Sequence, residues 1–274
     1  MARKPTRARE RERLWLVGNW KMWPDTATRA RRAALKFASA AFPRAPHLSL
    51  AVAPPYPFLE LVRAVLPRRW ALAAQDPGDP APEGEETGRV SFAMLRSAGV
   101  RLVIAGHSEV RARGTPDALI ARQVAVALGE GCEVVLCVGE TERDGPHDRF
   151  AFVRKQVLTA VSGVRPDALP LLRVAYEPVW AIGSRARATP EPSDVHEMAL
   201  WIKKVLAERY GARAALATPV LYGGSVHPEN ARAFARDGGI HGFLVGRASR
   251  DPKEFAAIAE ALVSGADDRA ALTR

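Results

Sequence analysis

The chain has 274 residues, of which 47% are hydrophobic, and its formal net charge at pH 7 is +10. The apolar fraction is ample for a large core, and because no run of eighteen or more apolar residues occurs, we expect no membrane span and no membrane partner. Residues 1–13 carry six basic and two acidic residues, and the other basic residues form no stripe interleaved with aromatic ones. We therefore expect a solvated basic arm and no nucleic-acid partner.

Short apolar runs alternate with longer segments of helical period, which is typical of repeated β-α units around a parallel sheet. We predict strands over Leu14–Val17, Leu48–Ala53, Trp70–Ala74, Arg101–Ala105, Glu133–Val138, Leu172–Tyr176, Thr218–Tyr222 and Gly242–Val245. We predict helices over Thr26–Ala41, Pro57–Leu66, Ser91–Ala98, Pro116–Leu128, Arg149–Val161, Pro192–Tyr210, Pro228–Arg236 and Pro252–Leu262, several of them opened by a proline.

Eight strands, each followed by a helix, within about 250 residues have the size and order of a single α/β (β/α)₈ barrel. A doubly wound open sheet is the alternative, but no G-x-G-x-x-G sequence follows the first strand. We therefore predict an arm over residues 1–13, a barrel over 14–263 and a tail over 264–274. The active site of such a barrel lies at the carboxyl ends of its strands.

The two cysteines, Cys132 and Cys137, stand five residues apart on one apolar run. An extended strand points them to opposite faces, so they cannot form a disulfide with each other there. Neither their spacing nor the six scattered histidines match a zinc pattern. We expect no metal and a reducing, cytoplasmic compartment.

Glu177 follows the predicted strand Leu172–Tyr176 and precedes Pro178. A carboxylate at the end of a buried strand is costly unless it has a function, because its apolar neighbours offer little solvation. Glu177 is therefore a candidate catalytic base. On this evidence alone, the alternative is a structural carboxylate that caps a helix or pairs with a core arginine.

Polar side chains also follow the first and fourth predicted strands. Asn19 and Lys21 supply an amide and an ammonium after the first strand, and His107 and Glu109 supply an imidazole and a carboxylate after the fourth. Each has an ordinary explanation by itself, as a surface charge or a helix cap. Because the carboxyl ends of barrel strands meet at one mouth, we expect these side chains to share a site with Glu177.

Glycine-rich loops follow the sixth, seventh and eighth strands, at Gly183, at Gly224 with Ser225, and at Gly246 with Arg247. Glycines let backbone N–H groups approach an anion, and a helix that begins there adds a favourable dipole. A Gly-Gly pair alone is weak evidence, since tight turns use it too. Together the loops predict a phosphate cradle.

The predicted site combines a base (Glu177), a neutral donor (His107), a fixed cation (Lys21) and the phosphate cradle. This set suits proton abstraction next to a carbonyl in a small phosphorylated substrate, with donors and a positive charge that stabilise the enediolate oxygens. The chemistry requires no metal and no organic cofactor.

Five segments of the chain resemble, in order, the motifs of the triose-phosphate isomerase family. They are Gly18–Met22, Gly106–Glu109, Tyr176–Gly183, Tyr222–Val226 and Gly242–Gly246. The resemblance implies a dimeric (β/α)₈ barrel that interconverts dihydroxyacetone phosphate and glyceraldehyde 3-phosphate. It covers the chain from Leu14 to about Leu262.

The resemblance also implies a role for each site residue. It makes Glu177 the group that moves a proton between two carbons and neutral His107 the group that polarises the carbonyl. Lys21 and Asn19 orient the substrate, and Glu109 supports the site. The loop Gln75–Val90, with Thr87-Gly88, is the expected dimer contact, because its length and polarity are unusual on an isolated barrel.

The chain departs from the family pattern at several positions. The lid tip over residues 183–190 lacks a second glycine and the usual lysine, and Arg247 replaces the second glycine of the phosphate loop. Trp23 replaces a small polar residue, and Asp76 replaces an asparagine. Arg89 and Val110 remove both ends of an expected ion pair, which indicates one coupled change.

Three functions fit these residues: an isomerase of triose phosphates with an altered lid, a paralogue acting on a four-carbon ketose phosphate such as erythrulose phosphate, and a barrel that binds without catalysis. Because the lid tip and Arg247 depart from the family pattern, the four-carbon ketose phosphate stays an alternative substrate. Retention of Asn19, Lys21, His107 and Glu177 argues against the last function, because fold stability alone does not require that set.

Overall fold

Eight parallel strands form a closed barrel in the described part of the chain. The computed structural model describes residues 12–143, 148–181 and 189–272. The strands are β1 (Leu14–Asn19), β2 (Leu48–Ala53), β3 (Trp70–Ala74), β4 (Leu102–Ala105), β5 (Glu133–Val138), β6 (Leu172–Tyr176), β7 (Val220–Tyr222) and β8 (Gly242–Val245). Each strand pairs with its neighbours in chain order, and β1 closes the barrel against β8. The predicted (β/α)₈ barrel is confirmed.

Helices separate the strands and cover the outside of the barrel. Within the described ranges they are α1 (Ala27–Ser39), α2 (Leu59–Arg63), α3 (Phe92–Ser97), α4 (Ser108–Ala112), α5 (Asp117–Gly129), α6 (Arg149–Ala160), α7 (Pro192–Tyr210), α8 (Ala212–Ala217), α9 (Pro228–Asp237) and α10 (Pro252–Leu272). Short 3₁₀ helices cover Tyr56–Phe58, Pro166–Leu171, Val179–Ala181 and Arg247–Arg250. None of the helices described in these ranges is long and apolar enough to cross a membrane.

Strand side chains alternate between two apolar cores. On β1, Leu14 and Leu16 pack outward against the helices, whereas Trp15 and Val17 face the barrel interior. The interior is filled mainly by small and branched residues: Ala51, Ala53, Ala73, Leu102, Ile104, Val135, Ala175, Leu221 and Leu244. This layered filling makes the interior a packed core, so chemistry is confined to its ends.

The amino-terminal end of the interior is closed by a buried charge cluster. The Arg173 guanidinium donates to Glu133 over 2.6 Å and lies 4.7 Å from the centre of the Trp15 ring. Burial lowers the pKa of Arg173, but the adjacent Glu133 carboxylate opposes this effect. A buried arginine is tolerated here because a carboxylate and an aromatic face compensate its charge.

The two cysteines lie on opposite sides of the sheet, as their spacing predicts. Cys137 belongs to the interior core and Cys132 to the outer core, and both thiols are free. Burial raises the pKa of Cys132 to about 12 and that of Cys137 well above its ordinary value. Both thiols therefore stay protonated and unreactive at neutral pH.

Some predicted elements differ from the structure at their boundaries. β7 begins at Val220 and not at Thr218, because Pro219 has no N–H to donate to the ladder. The predicted helix Pro57–Leu66 is divided into a 3₁₀ turn, which Pro55 precedes, and the five-residue α2. α8 was not predicted, because its six residues carry too short a pattern to show a period.

The last helix runs ten residues past the predicted end at Leu262, so residues 264–272 of the predicted tail are helical. Arg269 anchors this extension, since its guanidinium donates to the carbonyl oxygen of Ile240 over 2.6 Å and to that of Ala235 over 3.2 Å. Gly265 lies against α9 so closely that a Cβ there would lie 2.5 Å from the carbonyl oxygen of Arg232. These contacts are long-range and leave no local periodic signal.

The predicted contact loop Gln75–Val90 projects from the barrel between β3 and α3. Residues 81–89 are exposed, while the base of the loop is fixed by an isolated bridge between Asp79 and Ser91. The Gln123 side chain donates to the carbonyl oxygen of Gly78 over 2.8 Å and to Asp76 over 3.1 Å. The loop therefore has a rigid base and an exposed tip.

Candidate active site

A cavity of about 510 Å³ lies at the carboxyl ends of the strands. It brings together nine of the ten predicted site residues: Asn19, Lys21, His107, Glu109, Glu177, Gly224, Ser225, Gly246 and Arg247. The tenth, Gly183, lies outside the described residues, as does the lid tip from Ser184 to Ala188. The residues selected at the strand ends thus lie together at one mouth of the barrel, as its topology requires.

Glu177 continues the inward-facing positions of β6, after Arg173 and Ala175, so its carboxylate emerges at the mouth. The residue is only 2% exposed. Its Oε2 accepts a hydrogen bond from the backbone N–H of Ser108 over 2.9 Å, and its Oε1 lies 3.2 Å from Nε2 of His107. Oε1 has no partner with hydrogen-bond geometry among the described residues. One carboxylate oxygen is therefore held by a hydrogen bond, and the other is buried without such a partner among the described residues.

His107 is the N-cap of α4, and this position fixes its ring. Its Nδ1 accepts a hydrogen bond from the backbone N–H of Glu109 over 3.2 Å. Because an accepting Nδ1 carries no proton, the neutral ring has its proton on Nε2, which faces Glu177 and the cavity. The local fold thus selects a neutral donor pointed at the site.

Lys21 and Glu109 form an ion pair of 2.7 Å across the mouth. Partial burial raises the pKa of Glu109, but the hydrogen bond and charge of Lys21 outweigh it, so the pKa of this carboxyl lies below its usual range. Lys21 has a φ of 52°, a left-handed conformation rarely adopted by non-glycine residues. Its backbone is held there by the Asn19 side chain, which accepts from the Lys21 N–H over 3.0 Å, and by Gln75, which donates to the Lys21 carbonyl oxygen over 2.8 Å.

The loops after β7 and β8 form the opposite side of the cavity. A Cβ at Gly223 would lie 2.9 Å from Cγ of Glu177, so only glycine permits this close approach. Gly246 follows β8 and is the N-cap of the 3₁₀ helix Arg247–Arg250, whose first two residues line the cavity. Ser249 closes this turn by donating to the Gly246 carbonyl oxygen over 2.6 Å. The first N–H groups of a helix have no partner within the helix, so the start of such a turn is suited to an anion.

Comparison with known proteins identifies the family. The family model described as triosephosphate isomerase matches residues 14–262. The chain is 39% identical over 252 residues to the triosephosphate isomerase of Symbiobacterium thermophilum, covering 90% of this chain and 95% of that protein. It is 38% identical over 250 residues to that of Thermus thermophilus, covering 90% and 97%. The chain belongs to the triosephosphate isomerase family. It is therefore an isomerase with a barrel fold, as its motifs indicate.

Two departures from the triosephosphate isomerase pattern are compensated locally. The large ring of Trp23 packs edge-on against Trp20 and lies 5.9 Å from the guanidinium of Arg250, which also lines the cavity. Arg89, which stands where the family usually has an acidic residue, pairs with Asp79 of its own loop over 3.0 Å. Val110 is buried, so both ends of the expected ion pair have acquired other roles.

Sequence reasoning missed Glu140, which follows β5. It is 3% exposed, and its Oε1 accepts hydrogen bonds from Tyr176 Oη over 2.8 Å and Trp180 Nε1 over 2.7 Å. The same rule that selected Glu177, a carboxylate directly after a buried strand, could have found it. Its place beside Trp180 connects the barrel to the entry of the segment 182–188.

Gln75 was also missed, although it directly follows the predicted strand Trp70–Ala74. Its side chain holds the Lys21 carbonyl oxygen. In the described parts of the chain, no group of three or more His, Cys, Asp or Glu side chains is arranged to hold a metal ion.

Proposed function

We propose that the chain interconverts dihydroxyacetone phosphate and D-glyceraldehyde 3-phosphate by proton transfer through an enediolate. The observation that carries the proposal is the pair of Glu177 and His107. A buried carboxylate with one free oxygen lies 3.2 Å from the protonated nitrogen of a neutral imidazole, beside a cation and backbone donors suited to a phosphate. The triosephosphate isomerase family membership supports the substrate assignment.

The proposed reaction begins when Glu177 removes a proton from the carbon next to the carbonyl. The Nε2–H of His107 donates to the carbonyl oxygen, where negative charge develops, and the ammonium of Lys21 stabilises the same charge. Protonated Glu177 then returns the proton to the adjacent carbon. In the same conversion the hydroxyl oxygen of the substrate loses its proton and the former carbonyl oxygen gains one by way of His107 Nε2, so the ketose becomes the aldose. Since protons and electron pairs are redistributed only within the substrate and these two side chains, the proposed reaction uses no cofactor.

Glu177 moves away from Ser108 in this scheme. Its Oε2 is bound by the Ser108 N–H over 2.9 Å, so the carboxylate exchanges that bond for the substrate proton. In this proposal, substrate binding is therefore coupled to the release of Glu177 from the Ser108 N–H.

The loops of Ser225 and Gly246 hold the phosphate in this proposal. Both line the cavity opposite Glu177, and the helix start after Gly246 supplies backbone N–H donors. Gly183 is proposed as the third contact. Glu109 supports Lys21 through the 2.7 Å ion pair and Asn19 fixes the Lys21 backbone, so these two residues act by positioning.

A four-carbon ketose phosphate is not favoured as the substrate, because the relatives named above are all triosephosphate isomerases over nearly their whole length. Steady-state kinetics on glyceraldehyde 3-phosphate and on erythrulose phosphate separate the two. We expect kcat/KM to be at least a hundredfold higher for the triose phosphate. A higher value for the four-carbon substrate contradicts the proposal, and no turnover of either supports a barrel that only binds.

We also propose a homodimer that forms through the loop Gln75–Val90. Met22, next to Lys21, is 97% exposed, although a long apolar side chain is rarely left in water at a site edge. The loop tip over 81–89 is exposed as well, while its base is rigid. Burying both against a second copy would remove this apolar surface from water and restrain Lys21.

Analytical ultracentrifugation at micromolar concentration tests the homodimer. We expect a dimer for the intact chain and a monomer with lower kcat for Met22→Arg, because a charge opposes burial at that position. Leu200→Arg, a change of another exposed apolar residue on α7, is the matched control and should stay dimeric. A monomeric intact chain refutes this part of the proposal.

We propose the cytoplasm as its compartment. The buried, unpaired Cys132 and Cys137 and the sugar-phosphate chemistry of the family support that placement. Localising a tagged intact chain in fractionated cells tests it, and recovery outside the cytoplasm would contradict it.

A further inference from the structure

A second cavity lies at the amino-terminal end of the barrel, opposite the active-site mouth. It encloses about 490 Å³ and is lined by residues at the starts of several strands. Five arginines line it: Arg13, Arg68, Arg69, Arg96 and Arg101. Glu133 is the acidic residue of this lining.

The barrel topology brings these arginines together from distant parts of the sequence. Arg13 precedes β1, Arg68 and Arg69 precede β3, and Arg101 precedes β4. The N–H of Arg101 donates to the carbonyl oxygen of Leu72 on β3 over 3.0 Å, which fixes the two strand starts side by side. Neighbouring strands are about 4.8 Å apart, so cations that precede them face one concavity. The sequence shows them only as scattered basic residues.

The positive charge of the cavity is poorly compensated by the protein. Glu133 is paired with Arg173 over 2.6 Å, and Arg96 with Glu130 over 3.3 Å. The other four arginines form no ion pair with a carboxylate in the described part of the chain. Like charges around one concavity repel each other, so an anion bound among them would be stabilised.

The positive charge at this end of the barrel affects the pKa of the buried Arg173. Burial lowers the pKa of Arg173, Arg13 lowers it further, and the single neighbouring carboxylate of Glu133 opposes them. Arg13 is itself exposed and lines the second cavity beside Glu133.

We propose that this cavity binds a small anion that carries several phosphate groups. Guanidinium groups form paired, charge-assisted hydrogen bonds with phosphate oxygens, and four uncompensated arginines match an oligophosphate better than a single phosphate. The volume lies in the range of small-ligand sites.

A nucleic acid fits this cavity less well than a small anion does. Strands of nucleic acid are held by aromatic rings on which bases stack, together with a basic track along the backbone. The aromatic residue of this lining, Trp70, is 6% exposed and offers no such face. The arginines also surround one concavity and do not form a line. The site lies at the opposite end of the barrel from Glu177, so it is independent of the proposed catalysis.

Isothermal titration calorimetry of the intact chain with inorganic tripolyphosphate tests this proposal. We expect binding that weakens as salt rises and that exceeds binding of orthophosphate at least tenfold. The double variant Arg68→Ala/Arg101→Ala should weaken tripolyphosphate binding at least tenfold. The matched control Arg31→Ala/Arg32→Ala removes two exposed cations of α1 that line neither cavity, and it should change the affinity less than twofold.

Isomerase turnover of each variant reports whether the barrel is folded, because the cavity does not touch the active site. If the alanine variant does not fold, Arg68→Lys/Arg101→Lys keeps the charge but removes the paired donors, and it should still weaken binding severalfold. Equal weakening by the control variant, absence of tripolyphosphate binding, or binding only of single-stranded DNA with affinity that grows with its length would each overturn the proposal.

Discussion

The indole N–H of Trp180 donates to Oε1 of Glu140 over 2.7 Å, immediately before the segment 182–188 that carries the predicted lid tip. The same oxygen accepts from Tyr176 Oη over 2.8 Å, while Oε2 of Glu140 is buried and has no partner among the described residues. On its other side, the Trp180 ring lies 5.1 Å from the guanidinium of Arg143, which pairs with Asp194 at the start of α7. Trp180 thus connects both ends of the lid segment to the barrel.

We predict that Trp180→Phe lowers kcat several-fold and destabilises the fold by about 1.5–3 kcal/mol, the range for a hydrogen bond to a charged group. The variant leaves the buried Glu140 with one donor fewer and loosens the lid entry. Stopped-assay kinetics and urea unfolding measure the two effects. Trp201→Phe is the matched control: its indole donates to the neutral carbonyl oxygen of Phe150 over 2.9 Å, far from the site. It should lose about 1 kcal/mol of stability and retain wild-type kcat; equal kcat loss in both variants would contradict a specific role for Trp180.

Glu177→Gln should lower kcat by at least the roughly 10²–10⁴ typical of acid–base catalysis. The amide keeps the shape of the side chain and can still accept from the Ser108 N–H, but it cannot take a proton from carbon. Solvent deuterium incorporation into the product should fall in parallel, since it reports the same proton transfer. Glu140→Gln, the other buried carboxylate at a strand end, is the control and should incorporate deuterium. Wild-type turnover in Glu177→Gln would exclude this residue as the base.

The strand ends could be predicted from sequence because the rule behind them is local. Asn19, His107 and Glu177 each follow a run of apolar residues, and a closed barrel turns this common position into proximity. Glu140 satisfies the same rule, but its partners Tyr176 and Trp180 lie 36 and 40 residues away in the sequence. The sequence therefore does not show that Glu140 binds them. The position of a residue at a strand end therefore predicts that it lies at the mouth of the barrel. Only its contacts distinguish a catalytic base such as Glu177 from a structural carboxylate such as Glu140.

Long-range contacts account for most of the structural features that could not be predicted from the sequence. The extension of α10 depends on the hydrogen bond from Arg269 to the carbonyl oxygen of Ile240. The positive charge of the second cavity depends on arginines that precede strands far apart in the chain. Neither periodicity nor local motifs record such pairings, which arise only when the barrel closes.

His241 should make the fold sensitive to mild acid. Burial and the charge of Lys203 lower the pKa of His241 to about 4, against an ordinary value near 6.5. The unfolded chain therefore takes up a proton at a higher pH than the folded chain does. The stability contributed by neutral His241 is fully present above about pH 6.5 and is lost as the pH falls through 4, by on the order of 3 kcal/mol in total.

Thermal unfolding between pH 7 and 4 measures this effect. His241→Asn keeps an acceptor for the N–H of Val220, which lies 3.4 Å from the histidine Nδ1, and should show a shallower fall of Tm with pH. His47→Asn, at a partly exposed histidine, is the control and should keep the slope of the intact chain. An unchanged slope in His241→Asn would show that other groups govern the acid sensitivity.

Arg247 is an exposed cation that lines the active-site cavity at the start of the 3₁₀ helix after β8. It pairs with no carboxylate in the part of the chain that the structure describes. Because the phosphate is proposed to bind backbone N–H groups of this turn, the side chain is not needed to hold a triose phosphate. We predict that Arg247→Gly changes kcat/KM for glyceraldehyde 3-phosphate by less than about tenfold, or roughly 1.4 kcal/mol.

Lys21→Met is the matched comparison for Arg247→Gly, since it removes a cation from the same cavity that is fixed by Glu109 over 2.7 Å and by the Asn19 side chain. It should lower kcat/KM by at least a hundredfold, because a held charge stabilises a developing oxyanion far more than a solvated one does. A measurement on erythrulose phosphate completes the test. Arg247→Gly could selectively abolish turnover of erythrulose phosphate while sparing the triose phosphate. That result would show that the Arg247 side chain binds the longer sugar, and it would contradict a triose phosphate as the natural substrate.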